Sequence, residues 1–523
     1  MTQLEALNAR YGPRYKWLVT LTVLLGLVAL GMSITIVNVA TPFIQGAFGM
    51  SAEQVQWLST GFLAATTVSL LVAPWLVSAF GQRATYIGLL SVFIVASLVG
   101  GLATTMDAVI AARIVQGAMT GVIRPVALEA LFSVYPADQR GMATAMYGMS
   151  LGLPLTLATV IGGWLVENES WRYVFFIVPP ICVAAIVMGF FFLPSRESSG
   201  PRPAFDWLGA VLLFTAIFSI LTALSNGQRW GWNSALVLEL EAFSALTTPV
   251  FVWWERRVER PLLDLGIFLS KGFMAGAFAL FLFGGAFYGI MYLLPDFVQL
   301  ILHYSPITAG LLFTPSTLVL AILVPLVGRL SDRLPPHYLT LPGLLFSIWA
   351  VERMSHVDWN TSFASLATSM AILSVGMAAF PPPTLSRAIS ALPPRLIGYG
   401  SGAINFALQL GGAFGTAALV TMLDRRTLFH SDQLTAQLNA GNPMARQALA
   451  QLHGVLAHVG VNADYQGAAA ARLLGAIDRI WSMILAYQDG FLLVVIGLLL
   501  VVIPSLLLSR WGSWSGEAKA VSE

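Results

Sequence analysis

The sequence predicts an all-α polytopic membrane protein of about fourteen spans, arranged as two six-helix bundles with a two-helix hairpin inserted between them. Three observations predict it. Apolar blocks of about 20 residues recur from Lys16 to Leu508, each long enough to cross the hydrocarbon core of a bilayer. Charged residues make up 10% of the chain against 57% hydrophobic, with a mean hydropathy of +0.78, whereas an average soluble domain carries about 25% charge. Short stretches of the first half are also echoed in the second.

Reading apolar runs bounded by charges or turn residues gives the spans in order. The first six are 16–41, 54–78, 84–104, 108–133, 141–166 and 172–194. The charged, Pro-containing stretch from Arg196 to Pro203 reads as a linker. A helical pair follows, 207–225 and 234–254, then a basic loop from Glu255 to Arg260. The last six are 273–299, 306–328, 338–353, 362–383, 398–423 and 489–509. The implied units are residues 1–195, an amino-terminal bundle; 196–271, linker and inserted hairpin; and 272–523, a carboxyl-terminal bundle with an external helical loop at 424–488. In that loop Leu449, Leu452 and Leu456, then Leu473, Ile477 and Ile480, recur at helical spacing and imply amphipathic external helices.

Positive charge sets the orientation, because cytoplasmic loops retain Lys and Arg. With the amino terminus inside, the inner segments hold Arg10, Arg14, Lys16, Arg83, Arg140, Arg196, Arg256, Arg257, Arg329, Arg333, Arg387 and Arg395 among others, and the short outer loops hold Arg172, Arg229 and Arg353. Both termini are therefore expected in the cytoplasm. The first apolar run is too long for a signal-peptide core and reads as span 1. The net charge of +2 is spread along the chain, so no nucleic-acid surface is indicated. Cys182, the one cysteine, cannot form an internal disulfide.

The repeats concern the end of the first span and the stretch after the second span of each half. Span 1 ends in Pro42-Phe-Ile-Gln45 and its counterpart in Pro295-Asp-Phe-Val-Gln299. Pro74 to Arg83 follows the second span, and Gly328-Arg-Leu-Ser-Asp-Arg333 follows the second of the last six. Repeated halves around a midplane site are a common plan of secondary transporters and point to alternating access.

With Thr35-Ile-Val-Asn-Val-Ala40, Arg113-Ile-Val-Gln-Gly117, Gly162-Gly-Trp164, Trp171-Arg-Tyr-Val-Phe175, Gly328 to Arg333 and Asn405-Phe-Ala-Leu-Gln-Leu-Gly-Gly412, the chain resembles the major facilitator superfamily, and within it the fourteen-span drug:proton antiporters of the EmrB/QacA type. The resemblance covers nearly the whole chain. It implies the major facilitator fold and proton-coupled efflux of varied small apolar compounds across a bacterial inner membrane. The segment leading into Leu485 to Phe491 looks like the Gram-negative branch, which implies a periplasmic adaptor and an outer-membrane channel as partners. The chain departs from the family pattern where Ser33 stands for an Asp, Ser78 for an Asp, Ala158-Thr159 for a Gly-Pro pair and Leu408 for an Arg.

Charges inside a membrane helix cost at least ~2.5–3.5 kcal/mol near the centre, so they mark transport candidates: Arg113, Arg124, Glu129 and Asp296. Arg113 and Arg124 are eleven residues apart, within about 20° of one helix face, with Gly117 and Gly121 between them. This reads as two cations flanking a close helix contact or as a cation-lined groove wall. Glu129 lies about 140° around from Arg124 and would carry a proton against another helix or water. Asp296 follows Pro295, where an interrupted helix ladder leaves carbonyls beside the acid. Asn38, Gln116, Asn405, Gln409, Phe287 and Met291 are the substrate-cavity candidates. Arg329, Asp332 and Arg333 are expected to latch helix ends by salt bridges. Glu239 and Glu241 in the hairpin read as interfacial or structural, and Pro381-Pro-Pro383 should bend or end span 12.

No Gly-x-x-x-x-Gly-Lys-[Ser/Thr] loop occurs, so ATP drive within the chain is not expected, and neither a metal-helix motif nor a Gly-x-Ser-x-Gly elbow suggests an enzyme. No cofactor or metal is expected. The nearest alternative is an exporter of one dedicated metabolite, lipid or siderophore.

Overall fold

The structure, a computed structural model, describes residues 3–136, 139–195, 204–259, 261–437 and 443–511. The expected linker 196–203 lies outside the described residues. A short helix α1 (Gln3–Tyr11) precedes α2 (Tyr15–Phe48), α3 (Ala52–Ser69), α4 (Ala73–Phe80), α5 (Gln82–Leu102), α6 (Met106–Val134) and α7 (Arg140–Asn168). Helices α8 (Tyr173–Phe176) and α9 (Val178–Phe192) complete the first bundle, and α10 (Trp207–Trp230) and α11 (Ala235–Glu255) form the inserted hairpin. The second bundle comprises α12 (Lys271–Leu300), α13 (Pro306–Leu311), α14 (Thr314–Ser331), α15 (His337–Met354), α16 (Phe363–Ala379), α17 (Pro381–Ser390), α18 (Ile397–Gln437), α19 (Pro443–His458) and α20 (Ala463–Trp511).

By length and composition, eleven of the described helices can cross a membrane, or twelve when a bent pair is taken as one span. That differs from the fourteen expected. Helices α7 and α15 occupy the expected spans 141–166 and 338–353 but fall outside this set; α15 has 18 residues and carries His337, Glu352 and Arg353 at its ends. The bent pair is the expected span 54–78, which breaks between α3 and α4 at 59°. Pro74 in the first turn of α4 cannot donate a helical hydrogen bond, so the ladder ends ahead of it. Pro381 likewise starts α17 after α16 stops at Ala379.

Helix α2 packs on α6, α7 and α9 in the first bundle, and α12 packs on α18 and α20 in the second. Close approach rests on glycine. A β-carbon on Gly117 or Gly121 of α6 would overlap the backbone carbonyls of Phe62 and Thr66 on α3. A β-carbon on Gly411 of α18 would overlap the Phe281 carbonyl of α12, and one on Gly284 the Leu408 carbonyl. Both pairs use small residues to bring backbones together where lipid offers no hydrophobic drive. Helices α7 and α14 meet across the bundles, α10 packs on both α3 and α18, and Trp57 stacks on Phe218 at 6.1 Å.

The described residues of the segment 424–488, expected to form amphipathic helices, are largely helical. Helices α18, 41 residues, and α20, 49 residues, run on unbroken out of the bundle, and α19 packs on α20. At 1.5 Å per residue they are about 60 and 75 Å long, roughly twice the thickness of a bilayer core. Arg426 and His430 of α18 both bond Asp489 of α20, at 2.5 and 2.7 Å, and tie the two rods where they leave the bundle.

Candidate functional site

A cavity of about 450 Å³ lies between the two bundles, inside the size range of small-molecule sites (~300–1,000 Å³). Its upper wall is Asn38, Val39 and Pro42 of α2, Pro295 and Gln299 of α12, and Phe313 before α14. The repeated Pro42 and Pro295 therefore face each other across the same space. Deeper, it is lined by Gly31, Arg124, Ser150, Phe287, Tyr288 and Met291. Among the described lining residues Arg124 is the single charged group, and most of the remaining wall is apolar.

The floor is a polar bridge between bundles. Arg124 donates from Nη1 to Gln409 Oε1 at 3.2 Å, and the Tyr288 hydroxyl donates to the same oxygen at 3.0 Å. One step further from the opening, the Tyr147 hydroxyl donates to Asn405 Oδ1 at 2.7 Å, and Asn405 Nδ2 bonds the Ser401 carbonyl. Below Phe287 and Tyr288 a small apolar pocket is walled by Gly148, Phe283, Leu320 and Pro382. Proline 382 packs against Gly148 and closes that level.

The predicted site residues separate into groups. Asn38, Phe287, Met291 and Arg124 stand on the cavity wall, with Gln409 bonded to Arg124. Gln116 does not: it is 1% exposed inside the first bundle, donating to Ser97 Oγ at 2.7 Å and accepting from Arg113. Asn405 is also buried, held by Tyr147. Arg113 is fully buried; its guanidinium donates to the Leu58 and Ser33 carbonyls, Ser33 Oγ and Gln116 Oε1, and lies 4.1 Å from the Phe62 ring centroid. Ser33 stands where the family pattern has an Asp, and no carboxylate among the described residues pairs with Arg113. It braces α2, α3 and α6 through carbonyl dipoles and a ring face. The glycine contact with α3 lies between the two arginines, so of the two readings of that stripe the flanked helix contact is the one present, with Arg124 alone reaching the cavity.

Asp296 follows Pro295 inside α12, and its carboxylate accepts the hydroxyl hydrogen of Tyr487 on α20, while the neighbours Pro295 and Gln299 line the cavity. Glu129 lies past the floor, where its Oε2 is 3.7 Å from the β-carbon position of Gly398 at the start of α18. Asp332 accepts the backbone N–H groups of Gly141 at 2.7 Å and Met142 at 3.3 Å, so it caps the amino end of α7 in the other bundle. A carboxylate there satisfies orphan donors and meets the positive end of the helix dipole. The contact requires Gly141, where a β-carbon would press on Asp332 and Ser331, and Gly328 lets α14 approach Met142 and Ala145. Arg329 and Arg333 flank this cap. Tyr147 was not singled out from sequence; its signal was a hydroxyl-bearing aromatic one residue before Gly148 in a Gly-rich span.

The latch makes a checkable point. Asp332→Ala is expected to weaken the closed end by about 0.5–2 kcal/mol, the usual worth of a helix cap, and to shift the population away from the form with this cavity open. Labelling of a cysteine placed at Asn38 by a water-soluble maleimide should slow accordingly, with buried Cys182 silent; an unchanged rate would show that Asp332 does not hold the ends together.

Two helix bundles that together line a cavity of this size have the plan of a secondary transporter. The chain belongs to the Major Facilitator Superfamily, whose family model matches residues 10–416. It is 29% identical over 421 residues to the multidrug export protein EmrB of Haemophilus influenzae, covering 80% of this chain and 82% of that one. It is 29% identical over 423 residues to EmrB of Escherichia coli K12 (80% and 83%) and 29% over 410 residues to the tetracenomycin C resistance and export protein of Streptomyces glaucescens (78% and 76%). In fold it is similar to the human organic anion transporter MFSD10, with a TM-score of 0.54, 16% identity and coverage of 92% and 99%, and to the proton:xylose symporter XylE, with 0.56, 13%, 93% and 95%.

Proposed function

We propose that the protein is a proton-coupled exporter of small amphipathic compounds by alternating access in a bacterial inner membrane, both termini cytoplasmic, with organic anions preferred among its substrates. The observation that carries the preference is Arg124, the lone charge on an otherwise largely apolar cavity. Among the described residues its one hydrogen bond is to Gln409, which leaves guanidinium N–H groups to meet an acidic group while Phe287, Met291 and Phe313 take an apolar body. A lipophilic cation would meet like charge and no counter-charge. The multidrug export and resistance names of the relatives support efflux.

Glu129 is proposed as the proton carrier, since it is the carboxylate nearest in sequence to the floor and lies on its closed side. The projecting rods, with Leu473, Ile477 and Ile480 partly exposed on α20, are proposed to dock a periplasmic adaptor leading to an outer-membrane channel. The fixed Arg124–Gln409–Tyr288 floor also favours a second reading, export of one dedicated anionic metabolite; competition by many unrelated compounds separates the two.

The test uses vesicles of purified protein with an imposed pH gradient. Gradient-driven movement of aryl carboxylates well ahead of lipophilic cations, lost in Glu129→Gln, is the expected result. Equal or greater movement of the cations would overturn the preference, and undiminished coupling in Glu129→Gln would remove its proton role.

A further inference from the structure

The inserted hairpin holds two acids that the transport reading does not use. Asp206 caps the start of α10: its Oδ1 accepts Gly209 N–H at 2.9 Å, and the Trp254 indole N–H of α11 donates to the same carboxylate at 2.9 and 3.1 Å. Glu255 ends α11. Its Oε2 accepts the N–H of Leu263 at 3.2 Å, in the segment leading to α12, but its Oε1 is buried with no hydrogen-bond partner. Glu255 is 4% exposed and Asp206 9%.

The two carboxylates face each other across a glycine. Oε1 of Glu255 and Oδ2 of Asp206 both lie within 2.7 Å of where a β-carbon on Gly209 would stand. Among the described residues the charged side chain acting on Glu255 is Asp206. The nearest cations in sequence, Arg256 and Arg257, are exposed, with Arg257 stacked 4.1 Å from the Trp253 ring centroid; Asp264 turns its carboxylate to Gly266 N–H. Phe205 brings the ring of Trp75 on α4 against this end of α10.

Two neighbouring carboxylates with no cation beside them among the described residues repel each other in a buried site, and a buried acceptor without a donor costs about 1–3 kcal/mol. Both problems have one solution. We infer that Glu255 holds a proton against the Asp206 carboxylate, which makes the base of the inserted hairpin a proton-binding site separate from the cavity. Protonated, Glu255 turns its orphaned acceptor into a donor toward Asp206 and keeps Oε2 on Leu263. Loss of the proton sets two charges side by side at the joint between the hairpin and the chain entering α12, so the tie loosens as pH rises.

The site is tested by infrared spectroscopy and thermal unfolding of the full-length protein in detergent across pH. A protonated carboxylic-acid C=O band in the wild type should be missing in Glu255→Gln, which mimics the protonated acid in shape. The wild type should lose melting temperature with rising pH more steeply than Glu255→Gln or Asp206→Asn. A band that persists at full intensity in Glu255→Gln overturns the proposal. So does a melting temperature with the same pH dependence in the wild type and in Glu255→Gln. Neither result bears on export through Arg124.

Discussion

Arg124→Gln should lower transport of organic anions roughly ten- to hundredfold while leaving neutral substrates nearly unchanged. A charge-assisted hydrogen bond contributes about 1.5–3 kcal/mol, and each 1.4 kcal/mol is a factor of ten. Glutamine keeps a polar amide without the charge, and the loss of the Gln409 bond is common to both substrate classes, so the ratio between them reads out charge. Arg124→Lys should restore part of the rate, because it keeps the cation but not the planar fork that engages a carboxylate at two points. The decisive measurement is the ratio of anion to neutral-compound flux in vesicles. If both fall together, Arg124 acts on closure of the bundles and not on selection.

The second large effect is on stability. Gly117→Ala should destabilise the protein by about 1–3 kcal/mol, the cost of forcing a methyl group into a packed contact, because its β-carbon meets the Phe62 backbone, which cannot turn aside as a side chain can. The same substitution at Gly475, an exposed helical position with nothing within 4 Å, should instead stabilise by about 0.5–1 kcal/mol through helix propensity. Opposite signs for one chemical change would isolate the contact. Melting temperatures measured in one detergent decide it; a neutral Gly117→Ala would mean that α3 and α6 separate without cost.

Much of the architecture was legible because it follows from local quantities. Run length and hydropathy place helices along one dimension. The cost of an intramembrane charge marked Arg113, Arg124 and Glu129, and the Pro42/Pro295 repeat marked two elements that face one cavity. The bend between α3 and α4 was less legible, since one apolar run conceals a break of three residues. Between 424 and 488 the Leu and Ile spacing implies helices, but not that helical hydrogen bonding joins them to the neighbouring spans through α18 and α20.

The sequence by itself determined that this is a helical membrane protein, where most of its helices run and which buried charges demand a partner. Only the tertiary structure decided who those partners are. Arg113 and Arg124 share a stripe of α6, but one ends among carbonyls of α2 and α3 and the other at Gln409, 285 residues away in sequence. Asp332 caps α7 across the bundles, and Asp296 turns to Tyr487 because α20 packs behind α12. Periodicity gives the face on which a side chain stands; the neighbour on that face is set by long-range packing, which no local spacing encodes.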